Sequence, residues 1–154
     1  MKITKQYIAG FVDGEGYFGI VRKTHKECTD GFYYTPVLKI TQVTKNDEVL
    51  KKIKEFIGYG NFSFDKRNIN PNGADKSNLE IRGMTRVLPV AKILLPELIV
   101  KAKQAQTVID FCELDKASLT RQELSTQRDK LYHQIKLLNR RGPVETKREG
   151  TPQV

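Results

Sequence analysis

The sequence predicts an α+β fold in which a four-stranded antiparallel sheet carries helices on one face. Two pairs of short extended segments each follow a segment whose apolar residues have helical spacing, so a helix–strand–strand unit occurs twice. Turn-forming residues separate the two segments of each pair. Two such units bury one face of a common sheet beneath their helices. The predicted element order is therefore αββαββα, followed by further helices at the C-terminus.

The first unit begins with a predicted short helix over 3–12, which Thr4 can cap. The segment Asp13-Gly14-Glu15-Gly16 follows, and its two glycines predict a sharp exit that leaves Glu15 just beyond the helix. Strands are expected at 17–26 and 33–44.

In the second unit, Asn46 is a suitable N-cap for a helix that Gly58 ends. Strands are expected at 61–66 and 76–82, with a polar loop between them. The remaining predicted helices span 85–94, 101–114 and 120–139. The chain is therefore predicted to form one domain over 1–139, and 140–154 is predicted to be a basic, disordered tail.

The predicted strands alternate between two kinds of side chain, which assigns each kind to one face of the sheet. The core face comprises Phe18, Ile20, Leu38, Ile40, Phe62, Phe64, Leu79 and Ile81. The polar, partly aromatic face comprises Tyr17, Lys23, His25, Tyr33, Thr35, Lys39, Thr41, Asn61, Ser63, Asp65, Asn78, Glu80 and Arg82. Such a face is typical of a solvated sheet, or of a surface that reads base edges in the major groove. The pattern alone leaves both interpretations open.

The charge balance favours a polyanionic partner. Lys and Arg number 27 against 18 Asp and Glu, for a net charge of +9. Nucleic acid is the first candidate and an anionic membrane the second, and a basic protein without a charged partner is the alternative. No stretch approaches the roughly 18 apolar residues of a membrane span, and no secretory signal is evident. Cys28 and Cys112 are too few for a disulfide framework. We therefore expect an intracellular protein with no membrane partner.

The segment Tyr7-Ile8-Ala9-Gly10-Phe11-Val12-Asp13-Gly14-Glu15-Gly16 resembles the LAGLIDADG signature of homing endonucleases. Two later stretches resemble the same family at similar spacing, namely the region from Ile40-Thr41-Gln42 through Gly58-Tyr59-Gly60-Asn61-Phe62, and Lys101-Ala102-Lys103-Gln104-Ala105. The resemblance covers about 7–109. The small side chains of Ala9, Gly10, Asp13 and Gly14 would also flatten one helix face, so that another backbone could approach it.

The resemblance implies a sequence-specific endonuclease that hydrolyses both strands of DNA with a divalent metal and leaves 3′ overhangs. Glu15 would hold the metal together with the carbonyl of Gly14. Mg²⁺ is expected, with Mn²⁺ able to substitute and Ca²⁺ supporting binding without cleavage. Gln42 would orient the attacking water. Lys101, with Lys103 as the alternative, would stabilise charge on the phosphate or donate a proton.

The resemblance also implies a homodimer on a long pseudo-palindromic DNA site, with Ala9, Gly10 and Asp13 in the dimer interface. Lys103, Arg140 and Arg141 would contact phosphates whatever the sequence. Some family members carry an arginine where this chain has Asn46, with Lys45 beside it, which leaves the outer basic residue of the site open. An intron RNA maturase and a DNA-binding regulator without cleavage are the alternatives on the same fold.

Overall fold

The computed structural model describes residues 2–66 and 73–140. Its regular elements are α1 (Lys5–Glu15), β1 (Gly16–Thr24), β2 (Phe32–Val43), α2 (Glu48–Ile57), β3 (Asn61–Asp65), β4 (Lys76–Arg82), α3 (Met84–Leu94), α4 (Ala102–Glu113) and α5 (Arg121–Leu138). This order confirms the predicted helix–strand–strand repeat and the C-terminal helices. The predicted loop at 70–73 lies partly outside the described residues, and the predicted tail lies outside them from position 141 onwards.

The four strands form one antiparallel sheet in the order β1-β2-β4-β3. The two central strands, β2 and β4, come from different repeats, so the two units join in the middle of the sheet. Lys39 of β2 lies opposite Tyr17 of β1 on one side and opposite Glu80 of β4 on the other. Asn61 of β3 then pairs with Glu80. The predicted polar face is therefore continuous across all four strands.

The core lies between the sheet and the helices. Phe18, Leu38, Ile40 and Leu79 are fully buried there and belong to one cluster with apolar side chains of the helices. Burial of this kind stabilises a domain in proportion to the apolar area that leaves water.

The prediction of a core position is wrong for Phe62 and Phe64, which are 37% and 63% exposed. Both belong to β3, which is an edge strand, whereas α2 packs on the neighbouring strand β4. The Lys54 ammonium lies 5.0 Å from the centroid of the Phe62 ring, which is a cation–π contact. Alternation identified the correct face of the sheet, but α2 packs mainly on β4 and leaves both rings of the edge strand partly exposed.

The motif helix α1 extends further than predicted. Thr4 caps it as expected, because its hydroxyl accepts a hydrogen bond from the Tyr7 N–H. The expected exit after 12 is wrong, since 13–15 are helical and Glu15 is the last helical residue. Gly16 then starts β1 with an extended φ of −92°. A Cβ at Gly16 would lie 2.7 Å from the Val12 carbonyl oxygen, so a close backbone approach explains this glycine.

The prediction of Asn46 as the N-cap of α2 is also wrong. Asn46 lies in a 3-10 turn at Thr44–Asn46, and Asp47 precedes the helix. The Asp47 carboxylate accepts a hydrogen bond from the Ser77 hydroxyl at 2.8 Å, which ties the start of α2 to β4. The end of α2 is as predicted, because Gly58 has the left-handed φ of 91° that favours glycine.

Candidate functional site

A cleft of about 600 Å³ opens where the C-terminal end of α1 meets the polar face of the sheet. Its wall contains one carboxylate, that of Glu15, together with the side chains of Lys39, Lys76 and Lys101. Tyr17, Thr41 and Gly14 also line it. The cleft thus brings the predicted metal ligands, one predicted catalytic lysine and part of the predicted DNA surface to one place.

Glu15 and Gly14 are both exposed at the last turn of α1. The carbonyl groups of a final helical turn lack partners within the helix and carry its negative dipole end. Carboxylate and carbonyl oxygens are the ligands that hard divalent cations prefer, so these two residues fit such an ion. Residues 2–66 and 73–140 contain no group of three or more His, Cys, Asp or Glu that could hold a metal. Within the described residues, Glu15 and Gly14 are therefore the groups that we consider further.

Asp13 and Lys101 join the end of α1 to the start of α4 through hydrogen bonds in both directions. The Asp13 carboxylate accepts from the backbone N–H groups of Ile99, Val100 and Lys101 at 2.8–3.1 Å. In return, the Lys101 ammonium donates to the carbonyls of Val12 and Asp13, both at 2.9 Å. We call this arrangement the Asp13–Lys101 clamp. It fixes the helical turn that carries Glu15.

The clamp also influences the pKa of Asp13. Burial has the largest single effect and raises this pKa, because it disfavours the charged carboxylate. The backbone hydrogen bonds from Ile99, Lys101 and Val100, with the positive charge of Lys101, together outweigh burial. The pKa of Asp13 therefore lies below its ordinary value of 3.8. The folded state favours the ionised carboxylate, as the clamp requires.

Gln42 does not line the cleft with Glu15 and Lys101. Its side-chain carbonyl accepts a hydrogen bond from the Val43 N–H at 2.7 Å, so the side chain turns back onto its own strand. Lys45 and Asn46 follow in the 3-10 turn, where both are exposed. The structure therefore gathers two of the three predicted catalytic residues in the cleft and leaves Gln42 outside its lining, near the end of β2.

The outer side of α1 differs from the predicted flat surface of Ala9, Gly10 and Asp13. Ala9 is fully buried in the core, and the Asp13 side chain is held in the clamp, so neither side chain is available as predicted. Gly10 and Gly14 are exposed, and a Cβ at either position would meet no atom within 4 Å. Tyr7, which is 52% exposed, continues this surface.

Apolar side chains beside α1 enlarge that surface. Ile99 and Val100 are 87% and 69% exposed, although they lie in the loop that Asp13 holds. Together with Tyr7, Gly10 and Gly14, they form what we call the outer α1 surface. Exposed apolar residues grouped in this way mark interaction sites more often than isolated ones do.

The predicted DNA-contacting side chains of the strands lie on the open face of the sheet, where Asn78 alone among them is buried, and His25 directly follows β1. Exposed members are Tyr17, Lys23, His25, Tyr33, Asn61, Ser63 and Asp65, and half-buried members are Thr35, Lys39, Thr41, Glu80 and Arg82. The Arg82 guanidinium donates to the Glu80 carboxylate at 2.7 Å, so these two side chains form a pair on this face. Lys103 and Arg140 are exposed outside the sheet, and Arg141 lies outside the described residues.

Asn78 is the exception, because it is fully buried and the prediction of an exposed amide is wrong. Its side-chain nitrogen donates to the Asp65 carboxylate at 2.9 Å, and its side-chain oxygen accepts from the Thr41 hydroxyl at 2.7 Å. These neighbours lie on the strands to either side, directly across from Asn78 or near it. The Asn78 amide is therefore enclosed on the polar face and does not reach solvent.

Three residues with polar side chains that line the cleft, Lys76, Gln104 and Asn139, were not among the predicted site residues. Lys76 could have been found, since extending the alternation of β4 by one step from Asn78 reaches it. Gln104 lies in the segment that resembles the family but was not assigned to the site, and Asn139 gave no sequence signal. The Asn139 amide donates to the Phe18 carbonyl at 2.7 Å, and the Gln104 amide donates to the Leu138 carbonyl at 3.2 Å. These bonds hold the end of α5 against the cleft.

Among the described residues, no helix combines the length and the apolar character that crossing a membrane requires.

The model of the LAGLIDADG endonuclease family matches residues 8–85, which is half of the chain. The chain therefore belongs to that family. No curated protein matches the sequence.

Similar solved structures include the homing endonuclease I-CvuI in complex with its target in the presence of calcium. That structure has a TM-score of 0.74 and 22% identity, and the match covers 90% of this chain and 83% of that one. The archaeal intron-encoded homing endonuclease I-Vdi141I, complexed with DNA, has a TM-score of 0.72 and 25% identity, with coverage of 90% and 86%. The homing endonuclease I-TnaI has a TM-score of 0.67 and 19% identity, with coverage of 90% and 97%.

Proposed function

We propose that this chain is one subunit of a homodimeric, sequence-specific endonuclease that hydrolyses both strands of duplex DNA with a divalent metal. The observation that carries the proposal is the position of Glu15. Its exposed carboxylate stands at the end of the motif helix, in a cleft that also contains Lys39, Lys76 and Lys101. Lysines attract the phosphate backbone, and the carboxylate can hold the cation that the chemistry needs.

The substrate assignment rests on the open face of the sheet. Antiparallel strands fit the major groove, and this face carries side chains with directional donors and acceptors. The net charge of +9 supplies attraction to phosphates. I-CvuI and I-Vdi141I, which share this fold, are each described in complex with DNA. We extend duplex DNA binding to this chain, and with it an intracellular location.

In the proposed mechanism, Glu15 and the carbonyl of Gly14 would hold the divalent metal. A bound Mg²⁺ would polarise the scissile phosphate and make water a better nucleophile at neutral pH. Mn²⁺ would substitute, and Ca²⁺ would support binding without cleavage. The Asp13–Lys101 clamp keeps Glu15 in position. Gln42 is the proposed orienting group for the attacking water, and for that role its side chain must leave the Val43 N–H.

The homodimer is proposed because one chain presents one acidic ligand whereas two strands must be cut. A two-fold axis through the outer α1 surface would bring both Glu15 side chains together and cover Ile99 and Val100. The two sheets would then follow the major groove in opposite directions, so the site would be long and pseudo-palindromic. If the cleavage positions on the two DNA strands face each other across the minor groove, the products would have 3′ overhangs.

Substitution of Glu15 tests the proposal. Plasmid that carries the uninterrupted insertion site of the chain's own intron is incubated with protein and Mg²⁺ or with EDTA. Wild type should cut it in Mg²⁺ alone. Glu15→Gln, which keeps the shape and loses the charge, should still bind the site but not cut it. Glu55→Gln removes an exposed carboxylate from α2 and is the control, which should cut as wild type does.

The same assay separates the alternatives on this fold. Specific binding by wild type without cleavage in any divalent metal would replace the proposal with a DNA-binding regulator. Cleavage by Glu15→Gln within a few-fold of wild type would remove Glu15 from the metal site. Splicing of the intron RNA that depends on the protein, without DNA cleavage, would indicate a maturase.

A further inference from the structure

We propose that Thr41, Asn78 and Asp65 form a polarised hydrogen-bond chain that selects for adenine or cytosine at one position of each half-site. Guanine and thymine would be disfavoured at that position. The inference deepens the proposed function and rests on the open sheet face being the DNA-reading surface. It assigns a specificity role to Asn78, although that side chain cannot touch DNA.

The chain of hydrogen bonds crosses three strands of the sheet. The Thr41 hydroxyl on β2 and the Asn78 amide on β4 are 2.7 Å apart, and the amide and the Asp65 carboxylate on β3 are 2.9 Å apart. Asn78 is fully buried, Thr41 is half-buried and Asp65 is exposed. The two ends of the chain therefore face outward while its centre is enclosed.

The chemistry of the three groups fixes the direction of every bond. A carboxylate only accepts hydrogen bonds, so the Asn78 amide must turn its NH₂ group towards Asp65. The amide oxygen is then left facing Thr41, and since that oxygen only accepts, the Thr41 hydroxyl must donate its single proton to it. Reversal of the amide would set two acceptors against each other at Asp65 and leave a buried group unsatisfied, which costs free energy.

The direction of these hydrogen bonds determines whether the Thr41 hydroxyl can donate or accept a hydrogen bond with a ligand. A threonine hydroxyl usually serves as donor or acceptor, and so it does not discriminate between bases. Here its proton is committed within the protein, and only its lone pairs remain for the open face. Asp65 likewise offers acceptors alone. Thr41 and Asp65 therefore present only hydrogen-bond acceptors on the open face, although a threonine hydroxyl by itself can either donate or accept.

In the major groove, adenine and cytosine present an amino group that donates, whereas guanine and thymine present only acceptors of hydrogen bonds. An acceptor on Thr41 can bond to the amino group of adenine or cytosine. Opposite guanine or thymine it would face another acceptor and lose the water that solvated it. The structure thus assigns to Thr41 a preference for amino-bearing bases, which is set by Asp65 through Asn78.

Binding selection from a duplex library tests this inference. The library is randomised over a half-site length, complexes are recovered by gel shift in Ca²⁺, and recovered duplexes are sequenced. Wild type should enrich adenine and cytosine over guanine and thymine at one position per half-site, by about tenfold, the scale of one good hydrogen-bond contact. Thr41→Val, which keeps the shape and removes the hydroxyl, should abolish that preference and so identify the position that Thr41 reads.

Asp65→Asn is the decisive variant, because an amide at 65 permits both orientations of Asn78. The proton of Thr41 is then released for either role, and the preference at the Thr41 position should fall to about twofold or less. In the Thr41→Val background, Asp65→Asn should make no further change at that position. Glu80→Gln is the matched control, since it removes one negative charge from the same face without touching the chain. It should leave the Thr41 position unchanged.

The possible outcomes distinguish failure of the specificity inference from failure of the proposed endonuclease function. If Asp65→Asn leaves the preference at the Thr41 position intact, or if wild type prefers guanine or thymine there, the polarised chain is wrong while the endonuclease proposal stands. If wild type enriches no sequence at all, the proposed function fails and the specificity inference fails with it. Equal relaxation by Glu80→Gln would assign the effect to charge and would also overturn the inference.

Discussion

The two sides of the motif helix α1 differ in how many of their groups find partners within the same chain. On one side, Asp13 and Lys101 make five hydrogen bonds between the helix end and the start of α4. On the other side, the outer α1 surface exposes two glycines and the side chains of Tyr7, Ile99 and Val100. The first side is complete within one chain. The second side acquires neighbours only when something else packs on it, and we propose that a second copy does so.

This difference explains why the four consecutive residues 13–16 have different roles. Asp13 stabilises the turn, Gly14 leaves space, Glu15 provides the carboxylate and Gly16 permits the close exit into β1. A single local motif therefore serves intramolecular positioning and proposed intermolecular contact at once. Substitutions on the two sides should separate these functions.

The largest effect is expected from Gly10→Leu, which fills the outer α1 surface. A side chain at this position meets no atom of its own chain within 4 Å, and leucine favours helix over glycine, so the chain should fold normally. Close approach of a second helix would be blocked. Double-strand cleavage should fall by at least about 100-fold, as expected for a misplaced reacting group, and dimer formation should be lost with it. Gln127→Leu, on the exposed part of α5, is the control and should do neither. Active, dimeric Gly10→Leu protein would contradict the proposed interface.

Gln42→Ala should slow single-turnover cleavage of saturated DNA by about 100-fold. This is the usual scale for a side chain positioned to assist proton transfer in the transition state. The reason is the proposed role of Gln42 in orienting the attacking water. The observed hydrogen bond from the Val43 N–H to the Gln42 side chain has no part in that role. Rapid-quench measurement of the cleavage step will check it. A change in the free energy of unfolding without a change in the rate would make Gln42 a structural residue of β2.

Lys101→Met should slow cleavage by about 10- to 100-fold, because the carbonyls of Val12 and Asp13 lose their donor and the turn with Glu15 is less well held. Lys103→Met, two positions along α4 at an exposed site, is the matched control. It should weaken binding of all sequences alike and lower the salt slope by about 1, with little effect on the rate at saturation. Equal rate losses in both variants would mean that position 101 acts through charge alone.

The smallest effect is expected from Asp13→Asn, and it should depend on pH. Because folding lowers the pKa of Asp13 below 3.8, the ionised carboxylate stabilises the folded state above that value. The stabilisation is lost as the pH falls through the folded-state pKa. At pH 7 the variant should be less stable by about 1.5–3 kcal/mol, the range for hydrogen bonds to a charged group. Denaturant unfolding at pH 7 and near pH 3 will show this. A stability difference that stays the same at both pH values would contradict the assigned role of the charge.

The sheet, its helix-covered face and the glycine at the end of α2 were predictable because their signals are local. Alternation needs only neighbouring residues, and Gly58 acts through its own backbone. The partners of Asp13 come from the distant segment 99–101, and no local pattern pairs them. The burial of Asn78 depends on side chains of two other strands. The exposure of Phe62 depends on how far α2, which packs on β4, reaches towards the edge strand. The sequence therefore identified the cleft and its acid, but not how the surrounding groups hold them.

The stoichiometry of the active complex tests the central claim most directly. Sedimentation velocity of the wild-type protein bound to its uninterrupted insertion site in Ca²⁺ should give two chains per duplex, and addition of Mg²⁺ to that same complex should cut both strands. A complex with one chain per duplex that still cuts both strands would contradict the dimer. It would show that one Glu15 suffices and that the outer α1 surface has another purpose.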